Sequence, residues 1–166
     1  MLCAPNLGRT ANVFLRPQRH VDTVFLHCSA TGDPEVSAEH VDTWHRDSGW
    51  NCIGYHYFIQ TDGKVQYGRS LERSPAAQAG YNTGTIAICL NGLDRSDFTD
   101  AQYQAVRALC REIDRAYGGQ MLFRGHREVS AKACPVFDYR SVLNLDPQGH
   151  MTKADTVRPR RVQTFP

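Results

Sequence analysis

Two short apolar runs anchor the hydrophobic pattern of this chain. Val21 to Cys28 (VDTVFLHC) and Thr85 to Leu90 (TIAICL) are rich in β-branched and aromatic residues, which predicts strands buried on both faces. Between them the period changes. From Ser37 to Asp47, Ala38, Val41 and Trp44 recur at helical spacing; Ser37 is placed to cap, and Glu39 lies in the first turn, where the helix dipole favours an anion. Gly54 to Arg69 (GYHYFIQTDGKVQYGR) reads as a strand, a tight Asp62-Gly63 turn and a second strand. Simple alternation puts Tyr55, Tyr57 and Ile59 on one face and His56, Phe58 and Gln60 on the other. Thr99 with Gln102 makes a capping box ahead of Ala105, Val106, Leu109, Cys110, Ile113 and Tyr117, and Gly118-Gly119 ends that helix. Asp138 can cap a last short helix carrying Val142, Leu143 and Leu145.

The remaining stretches are connectors. Residues 1–19, with Pro5, Gly8 and Pro17, read as an extended lead-in; residues 20–146 hold the patterned elements; residues 147–166 form a polar, basic tail with Arg158, Arg160 and Arg161. There are no internal repeats. A length of 166 residues suits one well-filled domain, and 41% hydrophobic with 22% charged residues is ordinary for a soluble protein. A net charge of +2 is too small to argue for a nucleic-acid partner. No apolar run reaches transmembrane length and the N-terminus lacks the hydrophobic region of a secretory signal, so synthesis in the cytoplasm and no membrane partner are expected. The six cysteines include no C-x-x-C pair; Cys28, Cys52, Cys89 and Cys110 read as small core residues and Cys3 as a loose thiol.

Chemistry concentrates in Phe123 to Asp138 (FRGHREVSAKACPVFD). His126, Lys132 and Cys134 fall there in a short segment punctuated by Gly125 and Pro135, more suited to a loop than a helix. Imidazole and thiolate are zinc ligands, and a loop can bring both to one ion if a third ligand arrives from elsewhere. His27, at the carboxyl end of the first buried strand, is the best third ligand, because strand ends facing a crevice are where such sheets place ligands. The Lys132 ammonium is expected to lower the pKa of the Cys134 thiol. Tyr55, at a strand entrance, can reach such a site or can simply be a strand aromatic, and Asn82 is by default a turn residue.

Five segments in order (FLHCSAT, GWNCIGYHYFI, DGKVQYGR, GYNTGTIAICL and GHREVSAKACPVFD) resemble the zinc-dependent N-acetylmuramoyl-L-alanine amidases of the phage-lysozyme type, kin to peptidoglycan recognition proteins. The resemblance runs from about His20 to Leu145 and implies an α/β single domain with a central mixed sheet flanked by helices. It puts the zinc ligands on His27, His126 and Cys134, catalytic roles on Tyr55 and Lys132, and a substrate-groove contact on Asn82. One departure stands out: where relatives often carry a His a few residues before that Asn, this chain has Ala77 and Gln78.

The resemblance implies one Zn2+ per chain, peptidoglycan as the substrate, a monomer, and release to the cell wall through a membrane pore, as in an endolysin. A zinc-activated water would attack the amide between N-acetylmuramic acid and L-alanine. Lys132 would stabilise the oxyanion, and Tyr55 would hydrogen-bond the water or carry its proton. Other readings stay open: a binding-only recognition module without metal ligands, a muropeptide-recycling amidase of the cytoplasm, and a hydrolase with Cys134 as nucleophile and His126 as base.

Overall fold

The computed structural model describes residues 2–153, so Arg158, Arg160 and Arg161 of the basic tail lie outside the described residues. Five strands form one mixed sheet: β1 (Thr23–Cys28), β2 (Tyr57–Ile59), β3 (Val65–Tyr67), β4 (Thr85–Leu90) and β5 (Leu122–Gly125), in the order β3-β2-β4-β1-β5. The two apolar runs become adjacent, parallel central strands, β1 and β4, every residue of which is buried. β2 and β5 flank them in parallel, and only β3 runs antiparallel, through the hairpin turned at Asp62-Gly63. Gly63 has a φ of +88°, a conformation a side chain would strain.

Helices cover both faces. Helix α2 (Asp100–Ala116) lays Val106, Leu109, Cys110 and Ile113 against Val24, Leu26, Tyr57, Ile86, Ile88 and Leu90. Its capping box forms as predicted, with Thr99 Oγ1 accepting from the Gln102 amide and Gln102 Oε1 accepting from that of Thr99. Helix α1 (Ala38–Asp47) covers the opposite face, where Ala38 and Val41 join Val36, Ile53, Phe58 and Cys89. Trp44 leaves this apolar face and stands 44% exposed, while the buried Asp42 carboxylate takes the Ile53 amide and the Arg46 guanidinium. His40 and His45 serve the backbone: their Nδ1 atoms accept from Ser37 and Gly54. A third helix, α3 (Tyr139–Val142), is capped by Asp138, which accepts from the Ser141 amide.

Four sequence expectations change. Cys3 and Cys52 are neither a loose thiol nor a core thiol but a disulfide; Cys28, Cys89 and Cys110 remain free and buried. The lead-in is fastened by that bond and by Gly8, Arg9 and Ala11, which hydrogen-bond along β3 and blunt that sheet edge. At the other edge the Phe123 amide donates to the Gly149 carbonyl, so the start of the predicted tail folds back on β5. Finally, Tyr55 packs with Phe58 on the α1 face rather than with Tyr57, because strict alternation fails at His56. There the side chain replaces a carbonyl of the ladder: His56 Nδ1 accepts the Ala87 amide proton.

Candidate metal centre and groove

Parallel register brings the two candidate histidines together. Leu26 of β1 lies opposite Gly125 of β5, so the next residue of each strand, His27 and His126, is carried to the same sheet end. Their rings are 4.7 Å apart between centroids. His27 is buried at 1% exposure while His126, in the short 3-10 turn His126–Glu128, is half-buried and faces a groove. A Cβ at Gly125 would overlap the Tyr139 ring, so the approach of the His126 turn to α3 requires glycine there.

The loop after His126 returns Cys134 to the same point. Arg127 holds it: its amide donates to the Cys134 carbonyl, its guanidinium to the carbonyls of Pro135 and Phe137, and its charge lies over the Tyr139 ring. Glu128 closes the other side, accepting from the Gly125 amide and the Tyr139 phenol. Cys134 Sγ comes to rest 3.7 Å from His27 Nδ1 and accepts the Cys28 amide at 3.3 Å. Ring nitrogens of His27 and His126 and the Cys134 sulfur all lie within 4.8 Å of one another, the one such group of metal-binding side chains among the described residues.

The donor set fits a zinc ion. Two imidazoles and a thiolate leave a fourth position for water or substrate. Burial holds His27 neutral, with its pKa lowered to about 3, and burial followed by the Lys132 charge lowers that of His126, so both rings offer lone pairs at neutral pH. The Cys134 thiol moves against expectation. Hydrogen bonding with Cys28 and then burial raise its pKa, while the Lys132 charge acts on His126 instead.

Tyr55 and Lys132 flank this group. The Tyr55 ring is 5.1 Å from that of His27 and 5.6 Å from that of His45, and burial raises its pKa well above the ordinary phenol value. Lys132 is exposed and lines a groove with Trp50, Ala77, Asn82, His126 and Val129. Asn82 turns part of its side chain inward: Oδ1 accepts from the amides of Ala77 and Gln78, fixing the loop that forms one wall. That loop delivers Gln78, noticed in the sequence only as one of two residues standing where relatives often carry a His; its Oε1 is 2.8 Å from His27 Nε2.

Residues 17–137 match the N-acetylmuramoyl-L-alanine amidase family. This chain belongs to that family. The amidase is 37% identical over 137 residues to the endolysin of Escherichia phage T7, covering 78% of this chain and 90% of the relative. Its fold is that of the amidase LysC from Clostridium intestinale URNW, with a TM-score of 0.69, 23% identity and 77% and 88% of the two chains covered. It is also similar to the solved complex of tracheal cytotoxin with the ectodomains of peptidoglycan recognition proteins LCa and LCx, with a TM-score of 0.64, 27% identity and 78% and 82% covered. The chain is a peptidoglycan-cleaving amidase, and the binding-only and recycling readings are not favoured.

Proposed function

We propose that this amidase hydrolyses the bond between N-acetylmuramic acid and L-alanine with one zinc ion held by His27, His126 and Cys134. The observation that carries the reading is the convergence of two neutral imidazoles and a thiol beside a groove. When bound, zinc supplies the Lewis acidity that makes water a nucleophile near neutral pH and polarises the scissile carbonyl. The protein side chains do the rest. Tyr55, kept protonated by burial, donates a hydrogen bond to the reacting oxygen atoms and does not act as a base at neutral pH. Lys132, on the groove wall beside His126, offers its ammonium to the oxyanion that develops as the carbonyl is attacked. Asn82 uses Oδ1 to hold the wall, and its amide nitrogen is the part left to contact substrate.

The three proposed ligands lie in one chain, so the site needs no second copy to complete it, and the enzyme is proposed to act as a monomer. Its similarity to phage endolysins supports a lytic role, with the enzyme made in the host cytoplasm and reaching the wall once the membrane is opened. Among the described residues, no helix is long and apolar enough to cross a membrane. A Cys134 nucleophile with His126 as base is a poorer reading, because the sulfur contacts His27 Nδ1 and the Cys28 amide rather than His126. Elemental analysis of the purified enzyme, with identification of the newly freed amino group as that of L-alanine, tests the proposal. One zinc per chain is expected, with zinc and cleavage both lost on chelation and in Cys134→Ser. Full cleavage and stoichiometric zinc in Cys134→Ser would overturn the ligand set.

A further inference from the structure

We infer that Gln78 is a positioning residue that sets the tautomer of His27 and so aims its Nδ1 lone pair at the metal position; the inference rests on the zinc reading above. Gln78 is fully buried, 51 residues from His27 in sequence, and both ends of its amide are engaged. Its Nε2 is 2.9 Å from Thr85 Oγ1 and 3.3 Å from the Tyr81 carbonyl. The carbonyl can only accept. Thr85 Oγ1 spends its own proton on the Asn82 carbonyl at 2.8 Å, so toward Gln78 it too can only accept.

Both partners therefore require the amide nitrogen of Gln78, which leaves Oε1 facing His27 Nε2. An amide oxygen can only accept, so His27 must be protonated at Nε2. A neutral imidazole carries a single N–H, and the free lone pair then falls on Nδ1, the atom that faces Cys134 Sγ. Asn82 completes the device by clamping the Ala77 and Gln78 amides, which keeps this side chain under the strand end. Gln78, one of the two residues standing where the family resemblance led one to expect a His, is thus built into the support of the site. Groups of this kind, one hydrogen bond behind a ligand, govern metal affinity by about 10–100-fold.

Two substitutions in the full-length enzyme separate orientation from packing. Gln78→Met keeps the volume and removes the acceptor; Gln78→Glu, in its protonated form, keeps a carbonyl oxygen toward His27 and an O–H donor toward Thr85 Oγ1 or the Tyr81 carbonyl. Zinc dissociation constants from chelator competition are expected to rise about 10–100-fold in Gln78→Met and to stay within a few-fold of the parent in Gln78→Glu. Nitrogen-15 spectra of the parent after zinc removal, where no metal dictates the tautomer, should still show His27 as an exchange-protected Nε2–H, a measurement that tests the tautomer even if Gln78→Met does not fold. An Nδ1–H tautomer in the parent, or unchanged zinc affinity in folded Gln78→Met, would overturn the role of Gln78 alone. A parent chain that takes up no zinc would overturn the zinc reading and this inference together.

Discussion

Tyr55 packs its ring 5.1 Å from that of His27 although the strand ahead of it pairs on the basis of Tyr57, two residues later. Burial of this side chain raises the pKa of its phenol well above the ordinary value. Tyr55→Phe keeps the ring and removes the one atom to which the proposed mechanism gives a role. Turnover is expected to fall by about 100-fold or more while zinc content and the thermal midpoint stay at parent values. Near-parent turnover would return Tyr55 to packing alone, and joint loss of zinc would make it part of the metal support.

Lys132 is exposed on the groove wall and supplies a charge that lowers the pKa of His126. A cation that acts when the oxyanion forms raises kcat; one that grips the substrate lowers KM. Lys132→Ala should lower kcat by about 100- to 1,000-fold, the loss typical of one missing oxyanion donor, with little change in KM. Steady-state kinetics on a soluble muramyl peptide reads both constants. A change confined to KM would place Lys132 in substrate binding instead.

What the sequence made legible was local. Uninterrupted apolar runs identified β1 and β4, capping residues bounded α1 and α2, and Asp62-Gly63 located the hairpin turn. The candidate ligands were recognisable by residue type and family resemblance, but their proximity depends on β5, a four-residue strand too short to carry a periodic signal. The Cys3–Cys52 pairing is likewise invisible locally, since cysteine connectivity follows from tertiary structure. Gln78 was hidden in a loop of small residues, where nothing in PAAQAGYN distinguishes a solvated amide from one aimed at His27. Tyr55 lies ahead of β2, where strand alternation does not apply and the buried His56 side chain stands in for a backbone carbonyl, so the alternation rule assigned it the wrong face.

The Cys3–Cys52 bond closes a loop between residues 49 apart and fastens the lead-in to the segment that enters Tyr55. Chain entropy assigns a loop of that length about 4 kcal/mol, and measured disulfides commonly give about 2–4 kcal/mol. Cys3→Ser should therefore lower unfolding stability by about 2–4 kcal/mol in denaturant titrations and leave zinc content intact. Reductant should lower the parent toward the variant and leave the variant unmoved. Equal sensitivity of the two proteins to reductant would locate the effect at another cysteine.

His56 gives the fold an acid limit independent of the candidate metal centre. Its ring is buried, Nε2 donates to the Arg73 carbonyl, and Nδ1 accepts the Ala87 amide proton. A second proton would have to enter at Nδ1 and break that last bond. Burial, opposed by the Arg73 hydrogen bond and assisted by the Arg19 and Arg69 charges, lowers its pKa from 6.5 to about 3. The folded pKa lies below the unfolded one, so this stabilisation is fully present above pH 6.5 and is lost as the pH falls toward about 3. Between pH 7 and pH 5 the loss from this group alone is about 2 kcal/mol. His56→Gln cannot titrate, so the parent should lose about 2 kcal/mol more than the variant over that interval, whatever the variant's stability at pH 7. Urea midpoints at both values in zinc-containing buffer give the difference, and parallel declines would mean that His56 does not control the acid limit.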